Sequence, residues 1–332
     1  MNPKLWLHSL TRIPRTTPEE WKDLDLVSRW LIATRAAVLI MTFIAAAIAG
    51  IIAFREGAFH LGKWLLLTFG LIFSHATNNL LNDLSDFKRG VDKNNYYRAQ
   101  YGPQPLTHGM MTIRQNLTYA AITGLLALAC GLPLVIEAGM WGWILLALGA
   151  FFVFFYTWPL KYIALGEVAV FLVWGPLMIA GGHFVITGYW SSHALLACVP
   201  YALGVTGVIF GKHIDKAALD SAKRIFTLPV VIGERISKAA LASMVVLQYV
   251  LVIGMIIWGG FHTPLLLVVF AFPAFKIVMP QFLSEPPENP PEWFPKEMWP
   301  AWYVALAFYH NRQFGIFYIL GLLLDALLVH KF

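Results

Sequence analysis

Long apolar runs separated by short polar stretches dominate the chain. Nine of them approach the length of about 20 residues that a membrane helix needs. They lie at 31–53, 63–82, 114–135, 140–157, 166–187, 194–211, 239–259, 262–280 and 302–330. Several hold internal Gly and Pro, such as Gly175-Pro176, which a bundle tolerates because neighbouring helices satisfy the freed backbone groups. The pattern predicts an all-α fold, a polytopic membrane helix bundle of about nine transmembrane helices. A single transmembrane domain over 31–332 follows an amphipathic cytoplasmic N-terminal arm over 1–30.

Composition agrees. Of 332 residues 58% are hydrophobic and 13% charged, against about 25% charged in soluble domains. The net charge of +6 invites nucleic acid as a partner in a soluble protein; here the positive-inside bias explains it, and the expected partner is the lipid bilayer. Cys130 and Cys198 fall inside apolar runs and read as packing, with no zinc or disulfide spacing. The first 28 residues lack a compact apolar stretch with a small-residue cleavage site, so no signal peptide is expected.

Basic residues set the orientation. The arm and the start of the first run carry Lys4, Arg12, Arg15, Lys22, Arg29 and Arg35. The 83–113 loop, the 158–165 turn and the 212–238 loop carry most of the others. Opposite-side connections hold Arg55 and Lys63. This places the N-terminus and the two long loops in the cytoplasm and the chain in the cytoplasmic (inner) membrane.

Both long loops open with acidic residues at a helix end. In the first, Asn78, Asn82 and Asp86 fall at i, i+4 and i+8 of a continuing helix, with Asp83 beside Asp86. Gly90 can end the helix and let Asp92 fold back. Such a cluster is costly at a membrane boundary unless something uses it. Mg²⁺ suits it, being a hard ion held by one or two carboxylates plus substrate phosphates. Lys88 and Arg89 are placed to hold diphosphate oxygens. A solvated salt-bridge cluster is the alternative.

The second cluster runs from Lys212 through Asp215, Lys216, Asp220 and Lys223 to Arg224. On one regular helix Asp215 and Asp220 would stand roughly 140° apart, so they share a site only if the helix ends between them or both flank a cleft. Solvation and topology alone also account for such a loop. Together, the two clusters offer carboxylates on two sides of a diphosphate and cations around it, above an apolar interior able to take a hydrocarbon tail.

The first motif, Asn82-Asp83-x-x-Asp86-x-x-x-Gly90-x-Asp92, resembles the N-D-x-x-D-x-x-x-G-x-D of UbiA-type intramembrane prenyltransferases. The similarity is greatest to their 1,4-dihydroxy-2-naphthoate prenyltransferase branch. Gly102-Pro103-Gln104-Pro105-Leu106 with Gly109 resembles that branch's G-P-x-x-L-x-x-G, and Thr227-Leu228-Pro229-Val230 with Gly233 its T-L-A-V-x-x-G. Tyr156 and Lys161 sit where related enzymes have a tyrosine and a lysine. The resemblance spans roughly residues 30–330, the length of the helical region.

It implies Mg²⁺-dependent transfer of a polyprenyl group from polyprenyl diphosphate to a small aromatic acceptor, as in menaquinone biosynthesis. Asp86, Asp83, Asp215, Lys161 and Tyr156 would be catalytic. Asn82, Asp83, Asp86 and Asp92 would hold one metal–diphosphate unit and Asp215 with Asp220 the other. Lys88, Arg89, Arg98, Lys212, Lys216, Lys223 and Arg224 would bind diphosphate. The second motif departs from the family's D-x-x-x-D: its aspartates are one residue further apart, and lysines stand where amide or acid is expected. Either the acceptor differs or this half binds diphosphate through lysine more than metal.

Other readings remain at this stage: a hydroxybenzoate, porphyrin, glycerol phosphate or sugar phosphate acceptor, an intramembrane terpene cyclase, an ion-coupled transporter, or a scaffold. Tyr96, Tyr97, Arg98 and Tyr101 could form a lid or an interfacial anchor. His75 and Thr77 are expected near the cavity, His183 in a structural role and Glu167 at a helix start. The stretch 285–300 is expected to be non-helical, with Trp293, Phe294, Trp299 and Trp302 anchored at the interface and no catalytic role.

Overall fold

The structure is a computed structural model and describes residues 2–91 and 102–330. The arm forms α1 (Pro3–Thr11) and α2 (Pro18–Asp23), the latter started by a capping box between Thr17 and Glu20. The following helix α3 (Leu26–Ala33) begins on Asp25, whose carboxylate accepts from the Ser28 N–H at 3.0 Å. Asp25 also accepts from the Asn2 N–H and the Trp6 indole N–H, both at 3.1 Å, and so ties α1 to α3.

Beyond the arm come α4 (Ile40–Arg55), α5 (Leu61–Lys88), α6 (Ile113–Phe155), α7 (Gly166–Thr187) and α8 (Ser192–Asp215). The short α9 (Ala217–Ala222) and α10 (Leu228–Ile232) precede α11 (Glu234–Trp258), α12 (Thr263–Phe282) and α13 (Trp302–Val329). Among the described residues the only strand-like pairing is one bridge between Ile163 and Phe226.

Length and apolarity single out seven described helices as able to cross a membrane, rather than nine. Two features account for the difference. Helix α6 has 43 residues, about 65 Å of helix against a hydrocarbon core of about 30 Å. It breaks at Gly139, with φ 63° and ψ −140°. A Cβ on Gly142 would lie 2.9 Å from Val135 Cα, so the chain doubles back there, and α6 contains both runs 114–135 and 140–157. Helix α5 is long enough at 28 residues, but its second half carries Asn78, Asn79, Asn82, Asp83, Asp86 and Lys88. The first run, 31–53, is likewise not one helix. It is interrupted at Arg35, whose φ of 55° is left-handed.

The core lies where α4, α7, α8 and α13 meet, around Ile48, Ile52, Ile179, Tyr201, Phe314 and Tyr318. The two tyrosine hydroxyls donate to Met41 O and Ala197 O, each at 2.8 Å. Buried charges at the end of the bundle away from the aspartate motifs are paired. Arg55 Nε is 2.6 Å from Asp325 Oδ2. Glu56 accepts from Ser191 Oγ at 2.5 Å and contacts His183 and His193 at 2.9 and 2.8 Å. His183 thus has the hydrogen-bonded structural role expected of it.

Candidate active site

The polar face of α5 meets the second half of α6 and the turn after it in three steps. Asn78 Nδ2 donates to Val153 O at 2.9 Å. Thr157 Oγ1 donates to Asn82 Oδ1 at 3.0 Å. Lys161 Nζ donates to Asp86 Oδ1 at 2.9 Å. The predicted i, i+4, i+8 face therefore exists, and Gly90, with φ 66°, follows the helix end. Asp83, on the adjacent face, receives the guanidinium of Arg35, which also donates to Asn79 O at 3.4 Å.

The second cluster reaches the same place because α8 stops at Asp215 and α9 restarts at Ala217. That break separates the two aspartates. Asp220 is buried, with Lys216 Nζ 3.3 Å away. Asp215 turns aside and accepts from the Tyr303 and Val304 N–H groups at 2.9 and 3.0 Å, capping α13. The Ile163–Phe226 bridge holds the Lys161 turn against the loop after α9. Glu167 Oε1 lies 2.6 Å from His213 Nδ1 and so links α7 to α8.

Lys161 stands between the halves. Burial pulls its pKa down, but the charge and hydrogen bond of Asp86, with Tyr162 and Asp220 adding to them, outweigh this and leave it above the ordinary lysine value. Arg89 lies over the rings of Trp158 and Tyr162, at 4.7 and 5.5 Å from their centroids, and Lys223 donates to Val91 O. Lys88 and Arg224 are exposed. Asp92, Tyr96, Tyr97, Arg98 and Tyr101 lie outside the described residues.

Beneath this end a cavity of about 1950 Å³ runs into the bundle; most small-molecule pockets hold about 300–1,000 Å³. Its polar end has Asn78, Asn82, Tyr156, Arg35 and Lys212, and its walls include Leu66, Leu67, Gly131 and Val135. His75 and Thr77 line it as expected, with Thr42 Oγ1 2.7 Å from His75 Nδ1. The sequence reading missed two contributors. The arm brings Arg12 and Arg15 to the rim. The stretch 285–300 forms part of the wall through Trp293, Phe294 and Met298. Trp302 is 1% and Phe294 3% exposed, their rings packed at a tilt with centroids 4.9 Å apart. These two rings are therefore not interfacial anchors, because they pack into the core with each other and with Tyr303 and Phe282.

The donors on α5 are all oxygen, from Asn82, Asp83 and Asp86. This fits Mg²⁺, which needs one or two carboxylates when substrate phosphates and water complete its shell. Among the described residues no group of three or more His, Cys, Asp or Glu converges as a metal cage. The carboxylates of Asp83 and Asp86 instead face Arg35 and Lys161.

A model of the UbiA prenyltransferase family matches residues 38–299. The chain is 24% identical over 240 residues to the 1,4-dihydroxy-2-naphthoate octaprenyltransferase of Bacillus subtilis (strain 168), covering 71% of this chain and 76% of that one. It is 24% identical to the UbiA prenyltransferase domain-containing protein 1 of Danio rerio, over 69% of each. Among solved structures, one described for digeranylgeranylglyceryl phosphate synthase superposes with TM-score 0.56 at 20% identity, covering 90% of this chain and 97% of that one. A UbiA homolog from Archaeoglobus fulgidus bound to GPP and Mg²⁺ superposes with TM-score 0.51 at 13% identity, over 89% and 99%. At these identities the superpositions show the shared fold.

Proposed function

The chain belongs to the UbiA prenyltransferase family, and on that premise we propose that it transfers a polyprenyl group from its diphosphate to an aromatic acceptor such as 1,4-dihydroxy-2-naphthoate. The observation that carries this reading is the Lys161–Asp86 ion pair one helical turn beyond Asn82, which lines the polar end of a long apolar cavity, with the charge of Asp220, from the other half of the chain, also acting on Lys161.

The diphosphate head sits at this mouth with its tail in the cavity. Asn82, Asp83 and Asp86, with Asp92, would hold Mg²⁺, which when bound neutralises the departing diphosphate. The protein supplies the remaining charge. Lys161 and Lys216 are buried cations that stabilise negative charge as it develops on the leaving oxygens, and low surrounding polarity strengthens them. The allylic C–O bond breaks with its electron pair leaving on diphosphate, and an electron-rich ring carbon of the acceptor forms the new C–C bond. The ring proton passes to the released diphosphate or a carboxylate. Apolar walls exclude the water that would capture the carbocation.

The second half works mainly through lysine. Lys216 stands beside Asp220, and Asp215 is occupied with the backbone of α13. On this reading the first motif would hold the metal and the second half would contribute Lys216. Active-site loops, arm and N-terminus face the cytoplasm of a bacterial-type inner membrane, in keeping with the basic residues gathered at that end.

Product analysis tests the acceptor. Purified protein is given Mg²⁺, geranylgeranyl diphosphate and, in separate reactions, 1,4-dihydroxy-2-naphthoate or 4-hydroxybenzoate. A prenylated naphthoate-derived product by mass spectrometry is the expected result. Prenylated hydroxybenzoate alone, or only a cyclised hydrocarbon, overturns this acceptor.

A further inference from the structure

The part of the cavity wall formed by α12 and α13 carries two cations that the mechanism does not use. Lys276 on α12 and Arg312 on α13 both line the cavity. Counting back from Phe282, Lys276 lies about 9 Å inside its helix end, and counting on from Trp302, Arg312 lies about 15 Å inside. The two positions differ by about 6 Å along the helix axes, and both lie below the mouth where the diphosphate head is expected.

Several buried cations of the helical region have carboxylates: Arg35 with Asp83, Arg55 with Asp325, Lys161 with Asp86, and Lys238 with Glu234 and Glu285. Among the described residues neither Lys276 nor Arg312 has an ion-pair partner. Snorkelling to the headgroups does not account for Lys276. Its ammonium lies 5.4 Å over the ring of Phe272, one turn further from the aspartate end, so the side chain runs inward. Charged groups at such depth are retained where they face a cavity and meet a partner. The same wall presents Trp293, Phe294 and Tyr309, flat apolar surfaces beside the charges.

Building on the prenyl-transfer reading, we propose that Lys276 and Arg312 form an anion subsite that takes the ionised carboxylate of the aromatic acceptor, with the ring against the aromatic wall. Lysine and arginine together match a carboxylate, the arginine through two parallel N–H donors. The subsite fixes the acceptor from below the diphosphate, so that its ring enters the space between them.

The test uses the full chain in detergent and the variants Lys276→Met, Arg312→Met and Arg312→Lys. Binding of 1,4-dihydroxy-2-naphthoate and of 1,4-naphthalenediol, the same ring without carboxylate, is read by tryptophan fluorescence, which needs no turnover. Each Met variant is expected to weaken naphthoate binding about ten- to a hundredfold and to leave diol binding and the KM for prenyl diphosphate unchanged. Arg312→Lys keeps most of the affinity. Unchanged naphthoate binding in the Met variants, or a wild type that does not prefer naphthoate over diol, overturns the proposal. So does loss of thermal stability by the Met variants only in phosphatidylglycerol vesicles and not in phosphatidylcholine, with naphthoate binding intact, which assigns the cations to a lipid headgroup. A wild type that binds naphthoate through these residues but releases no diphosphate overturns the prenyl-transfer reading and leaves the subsite standing.

Discussion

Lys161 Nζ lies 2.9 Å from Asp86 Oδ1, and this contact is the last of three that each join residues 75 apart in sequence. A constant offset means that α5 and the second half of α6 run side by side in the same direction. Asn78, Asn82 and Asp86 are thereby held in step by Val153, Thr157 and Lys161. The ion pair completes a register as well as a site.

Both members of that pair are buried. Removing one partner strands the other charge at a cost of about 3–5 kcal/mol, whereas removing both is milder. Lys161→Met and Asp86→Asn are each expected to lower thermal stability more than the double variant does. A double-mutant cycle by thermal denaturation in detergent checks this. A double variant that loses the sum of the single losses contradicts the pairing.

Asp215 and Asp220 should separate by readout. Asp215 caps α13 through two backbone N–H groups, so Asp215→Ala is expected to cost about 0.5–2 kcal/mol of stability and to leave metal affinity intact. Asp220→Ala is expected to lower kcat/KM and, because it takes the carboxylate from beside the buried Lys216, to cost stability as well, so the two variants are compared at temperatures where each is fully folded. Equal loss of activity at matched stability would contradict the distinction.

Legibility in the sequence followed the range of the interactions. The α5 face was readable because helical period fixes which residues share a side, and the end at Gly90 because glycine tolerates positive φ. The reversal at Gly139 is a local event that split α6 where two apolar runs had been read. Arg35 was counted as an orientation signal, since nothing local shows that a left-handed turn aims it at Asp83, 48 residues away. The departure of Asp215 from the site was hidden for the same reason: its partners lie 88 and 89 residues on. The stretch 285–300 read as surface because its prolines forbid a helix, and only its packing against the start of α13 explains why Phe294 and Trp302 are buried. Lys276 and Arg312 stand singly within apolar runs, so no local pattern marks them.

Two cavity glycines measure chain length. A Cβ at Gly149 or Gly131 would meet nothing within 4 Å, and leucine there improves helix propensity by roughly 1 kcal/mol, so the fold should tolerate it. Gly149 lies near the aspartate end of α6 and Gly131 deeper in its first half. Gly149→Leu is expected to reject all but short prenyl diphosphates, and Gly131→Leu to reject only the long ones. A panel of prenyl diphosphates of increasing length reads this out, and identical profiles for the two variants would refute the depth assignment.

Docking of the arm depends on Asp25. Desolvation raises its pKa, but donors from Ser28, Trp6 and Asn2 outweigh that and hold it at about 2, below the usual 3.8. A depressed pKa contributes stability above the unfolded value and loses it as pH falls through the folded one, so docking should persist at neutral pH and weaken from about 4 towards 2. Asp25→Asn is expected to increase trypsin cleavage at Arg12 and Arg15 at neutral pH. Unchanged cleavage would show that the arm is held by other contacts.

The most direct test of the central claim is release of inorganic diphosphate from geranylgeranyl diphosphate by purified protein with acceptor present. Wild type with Mg²⁺ is compared with wild type in EDTA and with Asp86→Asn in Mg²⁺. The account predicts release by the first and a loss of at least about a hundredfold in the other two. Equal release in all three would remove the aspartate end from the chemistry, and no release by wild type with any prenyl diphosphate would contradict prenyl transfer itself.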